Sequence, residues 1–313
     1  MLTIGIDLGG TKCLGLAVDA DGRVAGEHRL PTPHAEPTIL VDTVVEVVDA
    51  LRVHREVLAV GVGAPGLVDR GGVVRFAPNL SGIREWSLGP ALEERLGLPI
   101  VLDNDATCAA WGESKAGAAV GKRDVVVVTL GTGIGGGILS DGRLLRGAHG
   151  FAGVIGHVVV DPHGPPCPCG KRGCWERFAS GSGLGRLGRE AALAGRGRRM
   201  VELAGGDPEH VRGEEVTAAA AEGDAEATAV MTQFAWWLAL GLANLANTFD
   251  PEMLVLGGGL VTAGELLLGP ARAAFVDLVE AAEHRPPIEI VTARLGERAG
   301  AIGAALIARD GVA

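Results

Sequence analysis

Three glycine clusters, each directly after an apolar run, constrain the fold of this 313-residue chain more than any other feature. They are Gly9-Gly10-Thr11-Lys12 after residues 2–8, Gly131 to Gly137 after residues 125–130, and Gly257-Gly258-Gly259 after residues 253–256. Glycine lets backbone N–H groups approach a phosphate closely, because no Cβ intervenes. One cluster is as typical of any tight turn, whereas three in this order predict phosphate binding. The Walker pattern GxxxxGK[ST] is absent and no GxGxxG follows the first strand, which disfavours P-loop and Rossmann folds.

A pattern of strand, glycine turn and strand occurs twice. Residues 2–8 and 13–18 flank the first cluster and predict a β-hairpin, and residues 125–130 and 138–139 repeat the pattern around the second. Further strands are predicted at 57–62, 100–102 and 253–256, and helices at 38–53, with Thr38 as N-cap, and within 217–247. The sequence therefore predicts an α/β fold of two related lobes, with the cleft between them as the ligand site.

The net charge of −10 arises from 28 Lys and Arg against 38 Asp and Glu. A uniform negative field repels nucleic acids and anionic membranes, so neither is an expected partner, although a local basic patch stays open. The N-terminal residues lack the basic and apolar regions of a secretory signal. No window of about 18 uninterrupted apolar residues predicts a membrane span. We therefore expect a cytoplasmic protein.

Three of the five cysteines lie within eight residues. With a histidine upstream they form the set His157, Cys167, Cys169 and Cys174, which is a complete tetrahedral ligand set for structural zinc. A disulfide is the competing explanation, but the expected compartment is reducing and three thiols leave one unpaired. Four protein ligands also leave no open position for catalysis by the metal. Cys13 and Cys108 lie in apolar runs and are expected in the core.

Five motifs follow one another along almost the whole chain: IGIDLGGTK at 4–12, LDNDATCAAWGE at 102–113, LGTGIGGG at 130–137, CPCGKRGCWE at 167–176 and LGGG at 256–259. Together they resemble the ROK family (repressors, open reading frames and sugar kinases), most closely its bacterial glucokinases. The resemblance implies two actin-like, ribonuclease-H-like lobes that close over ATP and a hexose. The family's repressors carry a helix-turn-helix domain before the first motif, and the early position of Asp7 favours the kinase branch.

The resemblance also implies lobe boundaries and a reaction. The small lobe is expected at 1–117, with a C-terminal helix at 298–313 packing back on it, and the large lobe at 118–297, with a zinc loop at 157–176. The expected reaction is ATP- and Mg²⁺-dependent phosphorylation of the 6-hydroxyl of glucose. Alternatives are a ROK kinase for N-acylmannosamine, mannose or fructose, and a sugar-sensing or catalytically weakened binding protein. A homodimer or homotetramer is expected, and polyphosphate in place of ATP stays open.

Asp105 is the predicted general base, because phosphoryl transfer needs a carboxylate in reach of the attacking hydroxyl. The alternative is that the acidic segment only caps the following helix, which we assign to Asp103. The resemblance places further sugar contacts at Gly63, Asn79, Asn104, His157 and Glu176. For Asn79 a simple turn is the alternative.

The nucleotide site is predicted at the glycine clusters. Asp7, at the end of the first strand, is suited to hold Mg²⁺ directly or through water, with a turn-forming role as the alternative. The other predicted nucleotide-binding residues are Gly9, Gly10, Thr11, Lys12, Gly131, Thr132, Gly133, Gly257, Gly258 and Gly259. Lys12 could equally be a solvated residue of the hairpin.

The segment GAHGFAGVIGH at 147–157 departs from the family pattern at one position. Sugar kinases of the family usually have glutamate where this chain has Val154, and that glutamate accepts hydrogen bonds from hydroxyls at the reducing end of the sugar. We therefore expect weakened hexose affinity, or a different sugar, with phosphate handling and the base intact.

Overall fold

The computed structural model describes residues 1–33, 37–77, 80 and 83–312. The strands are β1 (Leu2–Leu8), β2 (Lys12–Val18), β3 (Val24–Pro31), β4 (Val57–Ala64), β5 (Leu67–Val68), β6 (Val74–Phe76), β7 (Arg84–Trp86), β8 (Ile100–Asn104), β9 (Val125–Leu130), β10 (Ile134–Ser140), β11 (Arg143–Leu144), β12 (Met253–Gly257) and β13 (Glu289–Thr292). The helices are α1 (Pro37–Arg52), α2 (Leu88–Leu96), α3 (Asp105–Ala116), α4 (Glu176–Ala179), α5 (Gly181–Leu193), α6 (Arg198–Leu203), α7 (Gly213–Ala221), α8 (Ala225–Phe249), α9 (Glu265–Leu278) and α10 (Ala299–Val312).

Two five-stranded sheets have the same strand order. The first runs β3-β2-β1-β4-β8 and the second β11-β10-β9-β12-β13. In the first, β1 pairs antiparallel with β2 and parallel with β4, and β4 pairs parallel with β8. Because parallel strands end at the same edge of a sheet, Asp7 aligns with Gly63, and Gly63 with Asp103. The predicted internal repeat and both glycine-turn hairpins are confirmed.

Two predicted boundaries were wrong. The helix α1 begins at Pro37, so Thr38 lies within its first turn and is not its N-cap. The second glycine segment is a turn only at 131–133, since β10 already begins at Ile134. Gly137 lies inside this strand because a Cβ there would meet the Ala110 Cβ at 2.3 Å, so its missing side chain lets β10 approach α3.

Glycines also bring α10 onto the first sheet. A Cβ on Gly5 would lie 1.8 Å from the Ala301 carbonyl oxygen, and one on Gly61 would lie 1.9 Å from that of Ala304. On its other flank α10 contacts α3, where Gly303 lies against the Cys108 carbonyl. This close packing holds the start of α10 beside the end of β1.

The helix α8 is long and apolar enough to cross a membrane by length and composition alone, with a mean hydropathy of 1.3 over its best window. Of that window 61% is buried within the protein, and α8 packs against α7 and α9. This burial is typical of a core helix.

By its internal contacts the chain divides into two compact units. The first comprises residues 1–127, 136–153 and 293–313, and the second residues 128–135 and 154–292. The lobe boundaries expected from the sequence, 1–117 with 298–313 and 118–297, stay a prediction.

Candidate active site

Asp105 lies at the junction of β8 and α3, in the first unit. Its Oδ1 accepts hydrogen bonds from the Asn104 amide at 2.9 Å and from the Ala106 N–H at 2.8 Å. Among the described residues no donor reaches Oδ2. One carboxylate oxygen is therefore fixed by the protein, and the other is free for a substrate.

The cap of α3 is Asn104, whose Oδ1 accepts from the Thr107 N–H at 3.0 Å. The capping role that we assigned to Asp103 was wrong. Asp103 instead accepts from the Arg146 guanidinium at 2.8 Å and from the Asn104 N–H at 2.9 Å. The Asn104 amide nitrogen also donates to the Gly66 carbonyl at 3.1 Å, so both of its N–H groups are used within the protein. Its predicted sugar contact is left with the second lone pair of Oδ1.

Burial raises the pKa of Asp105 to about 6, although the hydrogen bonds from the Ala106 N–H and the Asn104 amide oppose the shift. A general base works best with a pKa near the operating pH. The environment of Asp105 therefore suits proton transfer near neutrality.

Asp7 ends β1 in the same unit, and burial followed by the charge of Asp105 raises its pKa to about 7. A Cβ on Gly300 would lie 3.0 Å from the Asp7 Cγ, so the start of α10 closes directly over this carboxylate. Two carboxylates that raise each other's charging cost in this way favour a cation between or beside them.

The first glycine turn follows Asp7. The Gly9 N–H donates to the Lys12 carbonyl at 2.9 Å, and the Thr32 hydroxyl donates to the Gly9 carbonyl at 2.7 Å. Thr32 also donates its N–H to the Thr11 carbonyl at 3.0 Å. β3 therefore supports the turn from one side.

The sequence analysis missed Glu297, which forms ion pairs with both Lys12 and Arg29. These contacts hold the pKa of Glu297 near 2. Glu27 accepts from Arg298 at 2.7 Å and continues the network. Lys12 is thus held by a carboxylate that lies far from it in sequence and carries no motif signal of its own.

Gly63 lies against the start of α3, since a Cβ there would be 3.3 Å from both the Asp105 Cα and the Cys108 Sγ. A side chain at this position would crowd the base. Asn79 lies outside the described residues, so its predicted sugar contact stays a prediction.

The remaining predicted nucleotide residues lie in the second unit. At the second glycine cluster, the Gly131 carbonyl accepts from the Gly181 N–H and the Thr132 carbonyl from the Ser182 hydroxyl, both at 2.8 Å. These bonds attach the N-terminus of α5 to the turn, which sequence reasoning also missed. Gly258, at a φ of +87°, packs its Cα against Leu130, the residue before the turn. The second and third glycine clusters therefore lie together.

Glu176 borders the same turn. Its Oε2 accepts from the Ile134 N–H at 2.9 Å, and a Cβ on Gly133 would lie 2.1 Å from that oxygen. A predicted sugar-binding residue is thus in contact with a predicted phosphate turn. Only glycine at position 133 leaves room for this contact.

The four predicted metal ligands meet in one cluster, with all ligand atoms within 4.8 Å of one another. The Cys167 Sγ lies 3.6 Å from the His157 Nδ1, and the Cys169 Sγ lies 3.6 Å from the Cys174 Sγ. A tetrahedron with metal to sulfur distances near 2.3 Å has edges of about 3.8 Å, so these separations fit one bound ion. The cluster lies directly before Glu176 in the chain.

Val154 is 40% exposed and stands before the short 3₁₀ turn Ile155–His157. The His157 N–H donates to its carbonyl at 3.3 Å, which fixes the backbone but leaves the valine side chain at the surface. No charged group replaces the family's glutamate at this position.

Residues 3–311 match the ROK family. The chain belongs to this family. A glucokinase of Streptomyces coelicolor is 42% identical over 312 residues, which cover 99% of this chain and 98% of that protein. An N-acetylmannosamine kinase of Escherichia coli is 35% identical over 317 residues and 99% of each chain.

The crystal structure of a ROK family glucokinase from Streptomyces griseus, in complex with glucose and AMPPNP, has a TM-score of 0.88 to this chain. The two are 41% identical, and the match covers 99% of this chain and 100% of that one. The α/β fold with actin-like, ribonuclease-H-like halves is therefore confirmed for this ROK protein, in agreement with its repeated strand order.

Proposed function

We propose that this ROK protein is an ATP-dependent hexose kinase of the glucokinase type, which transfers the γ-phosphoryl group to the 6-hydroxyl of glucose. Relatives named glucokinase match it over almost its whole length. The observation that carries the proposal is Asp105, a partly buried carboxylate with a pKa of about 6 and one uncommitted oxygen.

Asp105 acts as the general base. Its Oδ1 is held by Asn104 and Ala106, so its Oδ2 accepts the proton of the attacking hydroxyl. The fixed oxygen sets the direction of the free one, which positions the hydroxyl for in-line attack on the phosphorus. The sugar contacts at Gly63, Asn79, Asn104, His157 and Glu176 belong to this proposal.

The glycine clusters bind the nucleotide. Backbone N–H groups at the turns 9–12, 131–133 and 257–259 cradle phosphate oxygens, and the N-terminus of α5 beside Thr132 adds positive potential. Asp7 fits as the residue that holds Mg²⁺, because a partly buried carboxylate with a raised pKa gains most from a nearby cation. The ion, when bound, neutralises developing charge on the phosphates.

The cluster of His157, Cys167, Cys169 and Cys174 holds a structural zinc ion, since its donor set is complete and closed. With Nδ1 facing the thiolates, the Nε2 of His157 stays available for a sugar hydroxyl. The ion stabilises the loop that carries His157 and leads into Glu176.

Val154 supports a second candidate substrate. An apolar side chain cannot accept a hydroxyl but can contact an apolar substituent, and one relative at 35% identity is an N-acetylmannosamine kinase. An N-acylated hexosamine is therefore the main alternative to glucose. Mannose and fructose kinases and a weakened sugar-binding protein complete the set.

The expected setting is cytoplasmic, with neither nucleic acid nor membrane as partner and with a homodimer or homotetramer as the assembly. The burial of most of α8 supports a core role for that helix. The net charge of −10 opposes association with anionic surfaces.

Turnover of purified protein across glucose, mannose, fructose and N-acetylmannosamine, with ATP or polyphosphate as donor, tests the proposal. We expect ATP-dependent release of glucose 6-phosphate. Saturable sugar binding without turnover on any member of the panel would establish the binding-protein alternative.

A further inference from the structure

A cavity of about 800 Å³ in the first unit lies outside the residues assigned to the reaction. Its walls come from the unpaired edge of β8, from β11, from α3 and α10, and from the turn between β5 and β6. A volume of this size is typical of a site for a small organic ligand.

The floor of the cavity is apolar. Val101, Trp111, Leu144 and Ile307 line it, and they pack around the buried cluster of Cys108 and Ala304. The Lys115 ammonium covers the Trp111 ring at 4.0 Å, which fixes the indole in place. A ligand with an apolar body would find a preformed surface here.

The rim carries three guanidinium groups, from Arg70, Arg143 and Arg146. Arg70 donates to the Gly147 carbonyl at 2.6 Å, and among the described residues neither Arg70 nor Arg143 has a carboxylate partner within ion-pair distance. Arg146 uses only its Nε, toward Asp103.

The carboxylates of the lining are already neutralised. Asp69 accepts from the Gly71 and Val73 N–H groups and pairs with Arg75 at 2.7 Å. Asp103 is paired with Arg146, and Asp310 lies 3.4 Å from Arg309. Two unmatched positive charges therefore face the cavity, in a chain whose net charge is −10.

We infer that this cavity binds an organic phosphate monoester. Such a group carries nearly two negative charges at neutral pH and three acceptor oxygens, which match two free guanidinium groups and the unused nitrogens of a third. The apolar floor receives the organic part of the ligand.

The site is connected to the base through one chain of hydrogen bonds. Arg146 donates to Asp103, which accepts from the Asn104 N–H, and the Asn104 amide donates to Asp105. A phosphate at the rim competes with Asp103 for Arg146 and so loosens the end of β8. Occupation of the cavity therefore lowers turnover; this regulatory step rests on the proposed kinase function, whereas the binding step does not.

Calorimetry with phenyl phosphate tests binding, with AMPPNP, magnesium and glucose present to block the proposed reaction site. We expect one site per chain, with affinity reduced at least tenfold in the double variant Arg70→Gln, Arg143→Gln. The control Arg23→Gln, an exposed arginine that does not line the cavity, should bind as the wild type does. Equal affinity in the wild type and the double variant, or no binding, would overturn the site.

Inorganic phosphate is the second probe, because it has the anionic group without the apolar body. We expect it to bind at least tenfold more weakly than phenyl phosphate, and equal affinity would overturn the assignment of an organic ligand. In kinase assays phenyl phosphate should lower kcat of the wild type severalfold and leave the double variant unaffected. A chain without kinase activity that still binds phenyl phosphate through Arg70 and Arg143 would refute the proposed function and support the site.

Discussion

At the scale of the residue, the two oxygens of Asp105 have different surroundings. Oδ1 is held by two donors, while no donor within the described part of the chain reaches Oδ2. Asn104, which supplies one of these donors, also caps α3. One side chain thus starts the helix and orients the base, so the base is positioned by the same bonds that form the element.

Replacement of Asp105 by Asn should lower kcat by about 10² to 10⁴ and leave nucleotide affinity nearly unchanged, because only proton transfer and hydroxyl positioning are lost. In the wild type kcat/KM should fall on the acid side with an apparent pKa near 6, since the protonated carboxyl cannot accept a proton. Steady-state kinetics from pH 5 to 8 measure both. Turnover of Asp105→Asn within a fewfold of wild type would make Asp105 a structural residue only.

Replacement of Val154 by Glu should lower KM for glucose roughly tenfold or more. A carboxylate accepts charge-assisted hydrogen bonds worth about 1.5 to 3 kcal/mol each, and bridging water already supplies part of that in the wild type. The control Val276→Glu changes an exposed valine on α9 and should leave KM unaltered. A neutral or harmful effect of Val154→Glu would indicate that the natural substrate presents an apolar group there.

At the scale of the element, the close contacts of α10 and the metal loop decide where the site residues lie. Glycines of β1, β4 and α10 itself remove the side chains that would separate α10 from the sheet and from α3. The metal loop uses the opposite device, since bonds to an ion replace a hydrophobic core that so short a segment cannot form.

Gly303→Ala should destabilise the protein by several kcal/mol, because the new Cβ would lie 1.7 Å from the Cys108 carbonyl oxygen and α3 would have to move. Gly311→Ala is the matched control in the same helix, where a Cβ would meet the Val101 Cγ2 at an ordinary 3.5 Å. Chemical denaturation measures both. Equal stability of the two variants would show that α10 does not pack as closely on α3 as described.

Protein purified without added zinc should contain about one zinc ion per chain by elemental analysis. Cys169→Ser should lose the ion and lower thermal stability and sugar affinity together, because the loop carries His157 and leads into Glu176. Cys13→Ser, a thiol outside the cluster, should keep its zinc. A fully folded wild-type protein without metal would contradict the zinc site.

At the scale of the whole molecule, the proposed site costs stability. Asp7 and Asp105 both have raised pKa values because the fold partly buries them. Between the unfolded pKa of about 4 and the folded value, the native state binds protons more tightly than the unfolded chain, so stability falls as pH rises through that window. Above about pH 7 the cost for Asp7 is complete. Magnesium and nucleotide should offset it when they bind.

Asp7→Asn should therefore raise the free energy of unfolding at pH 8, without nucleotide or magnesium, by up to about 4 kcal/mol, as a shift of three pKa units implies. The gain should be smaller at pH 5, where Asp7 is largely protonated. Asp42→Asn, on the surface of α1, should change stability by no more than about 0.5 kcal/mol at either pH. A destabilised Asp7→Asn at pH 8 would show that the Asp7 carboxylate is held by favourable contacts in the absence of ligand.

The sequence by itself determined the local features of this protein. Both hairpins, the glycine turns, the junction of β8 with Asp105 and the four metal ligands are recognisable from neighbouring residues, because each depends on backbone geometry or ligand spacing within a short segment. Tertiary structure decided what depends on residues distant in the chain. Glu297 reaches Lys12, Gly300 lies over Asp7, and Arg146 holds Asp103. Burial and charge at those meeting points set the pKa values of the carboxylates and shape the cavity beside β8, and neither has a signal in a short segment of sequence, since both arise only when separate segments pack together.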